Sequence, residues 1–460
     1  MATTITQKPL YDTLPVGQPI IFTVSNTIVP NYFNIKFVAE VYISNATPST
    51  LAPYLAGTFK TTPNNAGVGI FDFSAVVENH VKADNLAGLG SFYKGVTVTT
   101  TTSAVPPMHL IDNYSFNANA MRWLIIVFTI EGSTTLTGIP SVIAGTDVQS
   151  VNYKIFNGYL KYTNKLDTFD NDFGLDIGIG SNTYIELGTP TASFLTNAPT
   201  TQYANIDDYG TVGLLPLGDN LEYVKFIYYS TLGVTTTENV SAYLSASSAV
   251  RQKILYLGCY PANLQNSSTT FNALVTAGTI QGSYYTVQAF NEDDDVMSKL
   301  YTINVNCPDL KNYVPIRLAW LNQWGVWDYY TFTKKSSRTI SAKGSTYTQL
   351  EGTWNEAAFR LNGYRGGKKA FRVNATEKIK MNTDFVNESE SEWFEELINS
   401  PEVYMLEGFQ SDTAFALLNT YVTPVRLTTS SYTRKTIAND KLMQYTFEVE
   451  KAKTLRTQAI

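Results

Sequence analysis

The chain has 460 residues, of which 44% are apolar and only 16% charged. That excludes wholesale disorder and, at roughly 100–200 residues per domain, predicts several domains. A net charge of −6 excludes a polycation built along its whole length for nucleic acid, which is not an expected partner.

Thr, Asn, Ser and Tyr take the place of the missing charges. The 30 Tyr and 24 Phe, with abundant Thr and Val, suit a pleated, half-buried surface. The charge is divided along the chain. Residues 1–310 carry 13 basic and 23 acidic side chains, a net of −10, and residues 311–460 carry 20 and 16, a net of +4. Such a change of sign predicts separate domains with different neighbours. Two cysteines, Cys259 and Cys307, are too few for a disulfide scaffold and predict folding in a reducing compartment. The start of the chain shows no basic-then-apolar leader, and the longest apolar run, Trp123 to Phe128, is far below the roughly 20 residues that span a bilayer. Synthesis in the cytoplasm with no membrane insertion is the expectation.

Alternation of apolar and polar residues recurs along the chain. Ile35, Phe37, Ala39, Val41 and Ile43 share one strand face. A turn follows at Asn64-Asn65-Ala66-Gly67. Ser74 is placed to cap a helix over 75–84, with Val77 and Val81 one turn apart. Gly132-Ser133-Thr134 predicts a weak turn, and the soft stretch Thr134 to Thr146 a first boundary near residue 150. Tyr301, Ile303, Val305 and Cys307 alternate with Thr302, Asn304 and Asn306, and Cys307-Pro308-Asp309-Leu310 closes that strand with a turn. A second turn is expected at Asn362-Gly363. Ser389 and Glu392 have capping-box spacing ahead of the stripe Trp393, Phe394, Leu397 and Ile398, so a helix is expected over 389–399, stopped by Pro401. A short helix is expected after Asp412, with Phe415 and Leu418 inward. Tyr445, Phe447 and Val449 alternate again near the end.

These elements predict a mainly β, multidomain protein of antiparallel β-sandwich or barrel architecture with a few short helices. The expected domains are an N-terminal β-sandwich over 1–150, a middle β domain over 151–310 and a C-terminal barrel or sandwich with a short helix over 311–460.

Chemistry-bearing patterns are sparse. A Ser or Cys nucleophile needs a base, most often His. Only His80 and His109 exist, and no Ser stands in a G-x-S-x-G elbow. Both His read as surface or loop residues, and both Cys as small buried hydrophobes. The acidic runs Glu292-Asp293-Asp294-Asp295 and Asp167, Asp170, Asp172, Asp176 read as solvated turns. Started at Asp170, the calcium-loop pattern needs glycine at its sixth position, and Gly174 falls at the fifth. Gly363-Tyr364-Arg365-Gly366-Gly367-Lys368-Lys369 lacks Walker A spacing and reads as a basic hairpin turn. With Lys334, Lys335, Arg338 and Lys343 it is a candidate positive patch, suited equally to an acidic partner surface or a phosphate backbone. Glu392 and Glu396, one helical turn apart, read as a solvated face rather than a carboxylate pair. No catalytic, metal or cofactor residues are assigned, and no enzymatic step is expected.

The densest aromatic segment is Arg317-Leu318-Ala319-Trp320-Leu321-Asn322-Gln323-Trp324-Gly325-Val326-Trp327-Asp328-Tyr329-Tyr330-Thr331-Phe332. Its rings can fill a core, anchor a subunit interface or stack on sugars. Trp320, Trp324, Trp327, Tyr329 and Tyr330 are the candidate interface residues. The segment resembles a WLN-x-x-G-x-WDYYTF stretch of structural proteins of tailed bacteriophages that infect Bacteroidota-like bacteria. Gly69 to Ser74 and Trp393 to Tyr404 look similar to further pieces of the same proteins. The resemblance implies a component of the tail, baseplate or neck of a virion. Its partners would be copies of itself and other virion proteins. The competing expectation is a carbohydrate-binding adhesin or fibre whose partner is a glycan.

Overall fold

The structure, a computed structural model, describes residues 3–45, 53–81, 91–93, 114–117, 120–160, 187–208, 210–216, 221–241, 254–306, 313–354, 356–406, 422–429, 431, 433 and 443–453. It is mainly β, as expected. The chain forms two compact units. The first comprises Met1–Cys307 with Leu321–Tyr329 and 409–415, and the second Pro308–Trp320, Tyr330–Gly408 and 416–460.

The first unit begins with two facing sheets. One has three strands, in the order Thr4–Gln7, Ile21–Ser25, Val68–Asp72. The other has the order Thr13–Pro15, Tyr153–Phe156, Met121–Ser133, Phe33–Ser44, Tyr54–Thr61. Alternating apolar residues form these strands because each must bury one face. Phe37, Ala39, Val41 and Ile43 are fully buried and Ile35 nearly so. Val38 and Ser44, on the opposite face, are buried as well, so this strand is covered on both sides. Phe22 and Phe71 from the small sheet meet Phe128 of the large one, at ring distances of 5.8 and 5.6 Å. Phe22 also packs edge-on to Tyr153 at 5.6 Å. A Cβ on Gly69 would lie 2.6 Å from the Phe37 ring, so the closeness of the sheets depends on a bare backbone there.

A five-stranded sheet, in the order Thr201–Asn205, Tyr301–Asn306, Tyr284–Phe290, Tyr223–Tyr229, Thr235–Ser241, and a four-stranded one complete this unit. The four-stranded sheet pairs Leu255–Gly258 from after residue 150 with Tyr114–Asn117 from before it. Among the described residues two strand ladders are parallel, Tyr153–Phe156 with Thr13–Pro15 and Thr201–Asn205 with Tyr301–Asn306.

The second unit holds most of a seven-stranded sheet in the order Trp327–Phe332, Ile316–Leu321, Val403–Leu406, Val422–Leu427, Thr446–Lys451, Gly367–Asn382, Ser336–Gln349. The expectation here is a barrel or sandwich with a short helix. Among the described residues, the helix Glu388–Asn399 packs on this sheet. Its Phe394 lies 4.8 Å from Tyr330 and 5.5 Å from Phe447, and its Trp393 lies 4.9 Å from Trp320. Aromatics of this size bury large areas where the helix meets the sheet.

Local expectations are met and corrected in turn. The Asn64 turn forms as read. Its side-chain oxygen accepts from the Ala66 and Val68 amides, and Gly67 takes φ +74°. No turn forms at Gly132-Ser133. The strand runs through Ser133 because Gly132 pairs with Ser141 and Ser133 with Phe33. The first helix is a single turn, Ser74–Val77, followed by a 3-10 turn, Glu78–His80. Ser74 is its first residue and not its cap, and Asp72 receives the Ser74 and Ile20 amides. Val77 and Val81 are buried as expected. The capping box of Glu388–Asn399 is formed by Asn387 and Glu390, two residues earlier than read, because an amide oxygen caps as well as a hydroxyl. The helix expected after Asp412 lies outside the described residues. Two helices were not foreseen, Pro261–Ser267 and Thr269–Thr276. The second is capped by Ser268, which accepts from the Phe271 amide at 2.9 Å.

Phe22→Ala is expected to lower the stability of the first unit by about 3–5 kcal/mol, the usual loss for a buried Phe, in denaturant unfolding followed by aromatic fluorescence. A loss below about 1 kcal/mol would show that the two sheets do not depend on this ring.

Candidate functional site: the aromatic hairpin

Strands Ile316–Leu321 and Trp327–Phe332 enclose a turn that runs through apolar surroundings. Backbone polar groups in such a place need partners. Asn322 supplies them. Its side-chain oxygen accepts from the Trp324 amide at 3.0 Å and the Val326 amide at 3.2 Å, and its Nδ2 donates to the Leu195 carbonyl at 2.9 Å. The Asn322 amide donates to the Val326 carbonyl at 2.8 Å, which closes the turn. Gly325 takes φ +74°, and a Cβ there would lie 2.0 Å from the Asn157 carbonyl oxygen. Only glycine fits.

The five candidate residues are all used in packing within the chain. In the first unit, Trp324 is buried and donates from Nε1 to Asn197 at 3.3 Å. Trp327 is 1% exposed. Tyr329 is buried, 5.7 Å from the Tyr260 ring, and shares a hydrogen bond with Thr211 at 3.3 Å. Asp328 accepts from Thr196 Oγ1 at 2.7 Å. In the second unit, Trp320 is fully buried against Trp393. Tyr330 is half-buried, edge-on to Phe332 at 4.9 Å and to Phe394. Arg317 donates to Thr331 Oγ1 at 2.8 Å. These rings do not stand free to stack on a sugar.

The side chains that might carry bond chemistry are dispersed. His80 shares a hydrogen bond with the Tyr54 hydroxyl at 2.9 Å, and its carbonyl accepts from Arg122 Nε at 3.2 Å. Burial first, then the Arg122 guanidinium, hold the His80 imidazole below its ordinary range. Cys259 is a buried thiol outside any disulfide. His109, Cys307 and the Asp167 to Asp176 cluster lie outside the described residues. Asp293 and Asp295 sit in a turn ordered by Asn291, whose side-chain oxygen accepts from both amides. Around Trp393 the carboxylates diverge. Glu392 is exposed, whereas Glu396 is buried. The expected solvated pair does not form, because Glu396 falls on the inward side of the helix with Trp393 and Leu397. Glu390 is raised above its ordinary value, chiefly by burial, with Asp384 adding to the shift and a backbone hydrogen bond at Asn387 opposing it. Among the described residues, no group of three or more His, Cys, Asp or Glu is placed to hold a metal ion. No helix among them is long and apolar enough to cross a membrane.

No protein-family model matches the chain, and no curated protein does. Solved structures it resembles include Salmonella alpha-2-macroglobulin reacted with methylamine. There the identity is 6% and the TM-score 0.18, over 96% of this chain and 23% of that one. A mutant of the same protein aligns with 10% identity and a TM-score of 0.15, over 97% and 27%. The chain thus spans about a quarter of the length of these proteins. Scores this low do not mark a shared fold.

Two outcomes are expected. Asn322→Ala removes three buried hydrogen bonds at about 1 kcal/mol each and should lower stability by about 2–4 kcal/mol, with Gly325→Ala more damaging still. Equilibrium unfolding checks both, and a neutral Gly325→Ala would refute the close approach to Asn157. The depressed His80 pKa means that the unfolded chain takes up a proton before the folded one does. Its contribution is complete above pH 6.5 and is lost as pH falls. Thermal melts between pH 7 and 5 should therefore fall more steeply for the wild type than for His80→Gln.

Proposed function

We propose that the protein is a structural component of a tailed-phage virion, in the tail, baseplate or neck. It works by contact with copies of itself and with other virion proteins. One observation carries this reading: the residues behind the phage resemblance have architectural tasks. Asn322 and Gly325 build a turn, Trp320, Trp327, Tyr330 and Phe332 pack cores, and Asp328 accepts a buried hydroxyl. The similar piece Trp393 to Tyr404 spans the end of the core helix and the strand Val403–Leu406. No enzymatic step belongs to this reading, and the working location is the assembled virion after synthesis in the host cytoplasm.

A glycan-binding adhesin is the second reading. It is favoured by Trp354 and Tyr364, exposed 62% and 76% and close in sequence to Asn362, since exposed rings beside amides are what sugars stack on. Electron microscopy of the purified particle, with this chain traced in the map, separates the two. A defined ring or collar of copies is expected. Absence from the particle, with a monomer that binds host glycan, would replace the first reading by the second.

A further inference from the structure

The strands Ser336–Gln349 and Gly367–Asn382 pair antiparallel from Ser336–Met381 out to Gln349–Gly367, with one register shift at Phe371. The neighbouring strand Thr446–Lys451 covers only Lys378 to Asn382. From the Ile340–Glu377 pair outward, the two strands therefore form a ribbon with no third strand among the described residues. Ten residues, Ile340 to Gln349, run about 33 Å at about 3.3 Å each. An isolated two-stranded ribbon is marginally stable in water.

Its two faces differ. Residues directly opposite in an antiparallel pair share a face. Ala342 faces Ala375, Gly344 faces Val373, and Ser345 faces Arg372. One face therefore carries Ile340 opposite Glu377, Ala342 opposite Ala375 and Gly344 opposite Val373. Glu377 is buried and ion-paired with Arg338 and Lys451, so the apolar part of this face lies outward of it, and Phe371 falls at the register shift between Arg372 and Ala370. This face continues the one on which Ile379 and Met381 are buried at the base. The core face of the sheet thus runs out beyond its cover, leaving Ile340 and Val373 exposed by 64% and 42%, and Phe371 beside them at the register shift is exposed by 53%. The opposite face carries Ser341, Lys343, Arg372, Thr376 and Lys378.

The tip is ordered. Thr353 donates to the Ala358 carbonyl at 3.0 Å and accepts from the Arg360 amide at 2.8 Å. Trp354 donates to the Glu351 carbonyl at 2.8 Å and packs on Phe359 at 5.2 Å, with both rings largely exposed. An exposed apolar patch with a polar rim marks an interaction site.

Charge selects the occupant. Residues 336–382 carry nine basic and three acidic side chains, a net of +6. Two such ribbons would repel each other. The first unit carries 13 basic and 24 acidic side chains, a net of −11. We infer that the ribbon docks by its apolar face and aromatic tip on the acidic first unit of a second copy of this chain. The inference rests on the structural reading proposed above. A contact between unlike surfaces is head-to-tail, and closes a ring when the rotation permits.

The test mixes full-length chains of natural and heavy nitrogen and joins amines to carboxylates with a zero-length carbodiimide. Mass spectrometry then reads the links between copies, and sedimentation reads the assembly. Links from Lys343, Lys368 or Lys369 to acidic residues of 1–307 in mixed-isotope pairs are expected. Association should weaken at least tenfold between about 50 mM and 500 mM salt. Phe371→Ser with Val373→Ser should weaken it at least tenfold with the circular dichroism unchanged, since both side chains are exposed. Lys368→Glu with Lys369→Glu and Arg372→Glu should do so independently. Assembly unaffected by either set, ribbon-to-ribbon links, a monomer at every concentration, or ribbon-dependent binding of a nucleic acid or glycan without self-association would each overturn the docking. Assembly unaffected by the variants would leave the structural reading standing. That reading falls separately, if the chain is absent from the particle.

Discussion

The amide of Asn322 is the point on which the aromatic hairpin turns. A tight turn inside a protein strands its own N–H and C=O groups, and each one left without a partner costs about 1–3 kcal/mol. One side chain here serves two amides of its own loop and a carbonyl more than a hundred residues earlier in the chain. That arrangement allows a segment with three Trp to be drawn into packing without stranding its backbone. Gly325 is the second half of the same solution, because the chain passes too close to Asn157 for any side chain. The identity of both residues follows from geometry, with no role for bond-making chemistry.

Much of the fold was legible from alternation. The strands around Phe37, Ile303 and Phe447 bury the faces that their periodicity assigns. The helix behind Trp393 and Phe394 stands where its apolar stripe places it, with its cap displaced by two residues. Pairing between distant strands was not legible. Nothing local in Thr13–Pro15 announces a parallel partner at Tyr153–Phe156. The helices Pro261–Ser267 and Thr269–Thr276 were missed although a Pro in the first turn and a Ser cap stood in the sequence. Both are short, and their apolar residues do not sustain a stripe. The aromatic hairpin was recognisable as a packing element, but composition could not say that its rings would be used within the chain.

The exposed ribbon was overlooked for the opposite reason. Its basic residues were read as a turn, while Val373 and Ala375 beneath them lie on the face that, past the ion-paired Glu377, becomes the core strand ending at Met381. Seen in three dimensions, the two patterns belong to opposite faces of one ribbon. Its outer edge, Ser336–Gln349, carries Arg338 and Lys343, and charged side chains are a common means of discouraging indiscriminate strand addition. In the docking inferred above, apolar attraction would supply adhesion and charge would restrict what can adhere.

The membership of Leu321–Tyr329 in the first unit also bears on the order of events during synthesis. Domains generally fold as units and from the N-terminus as they are made, yet here the amino-terminal body lacks Trp324, Val326, Trp327 and Tyr329 until the chain has grown past residue 329. The parallel pairs between strands about 100 and 140 residues apart raise the contact order and slow closure further. On the ribosome, a long nascent chain would therefore wait half-packed, and its maturation would be timed by the arrival of a hairpin encoded well downstream.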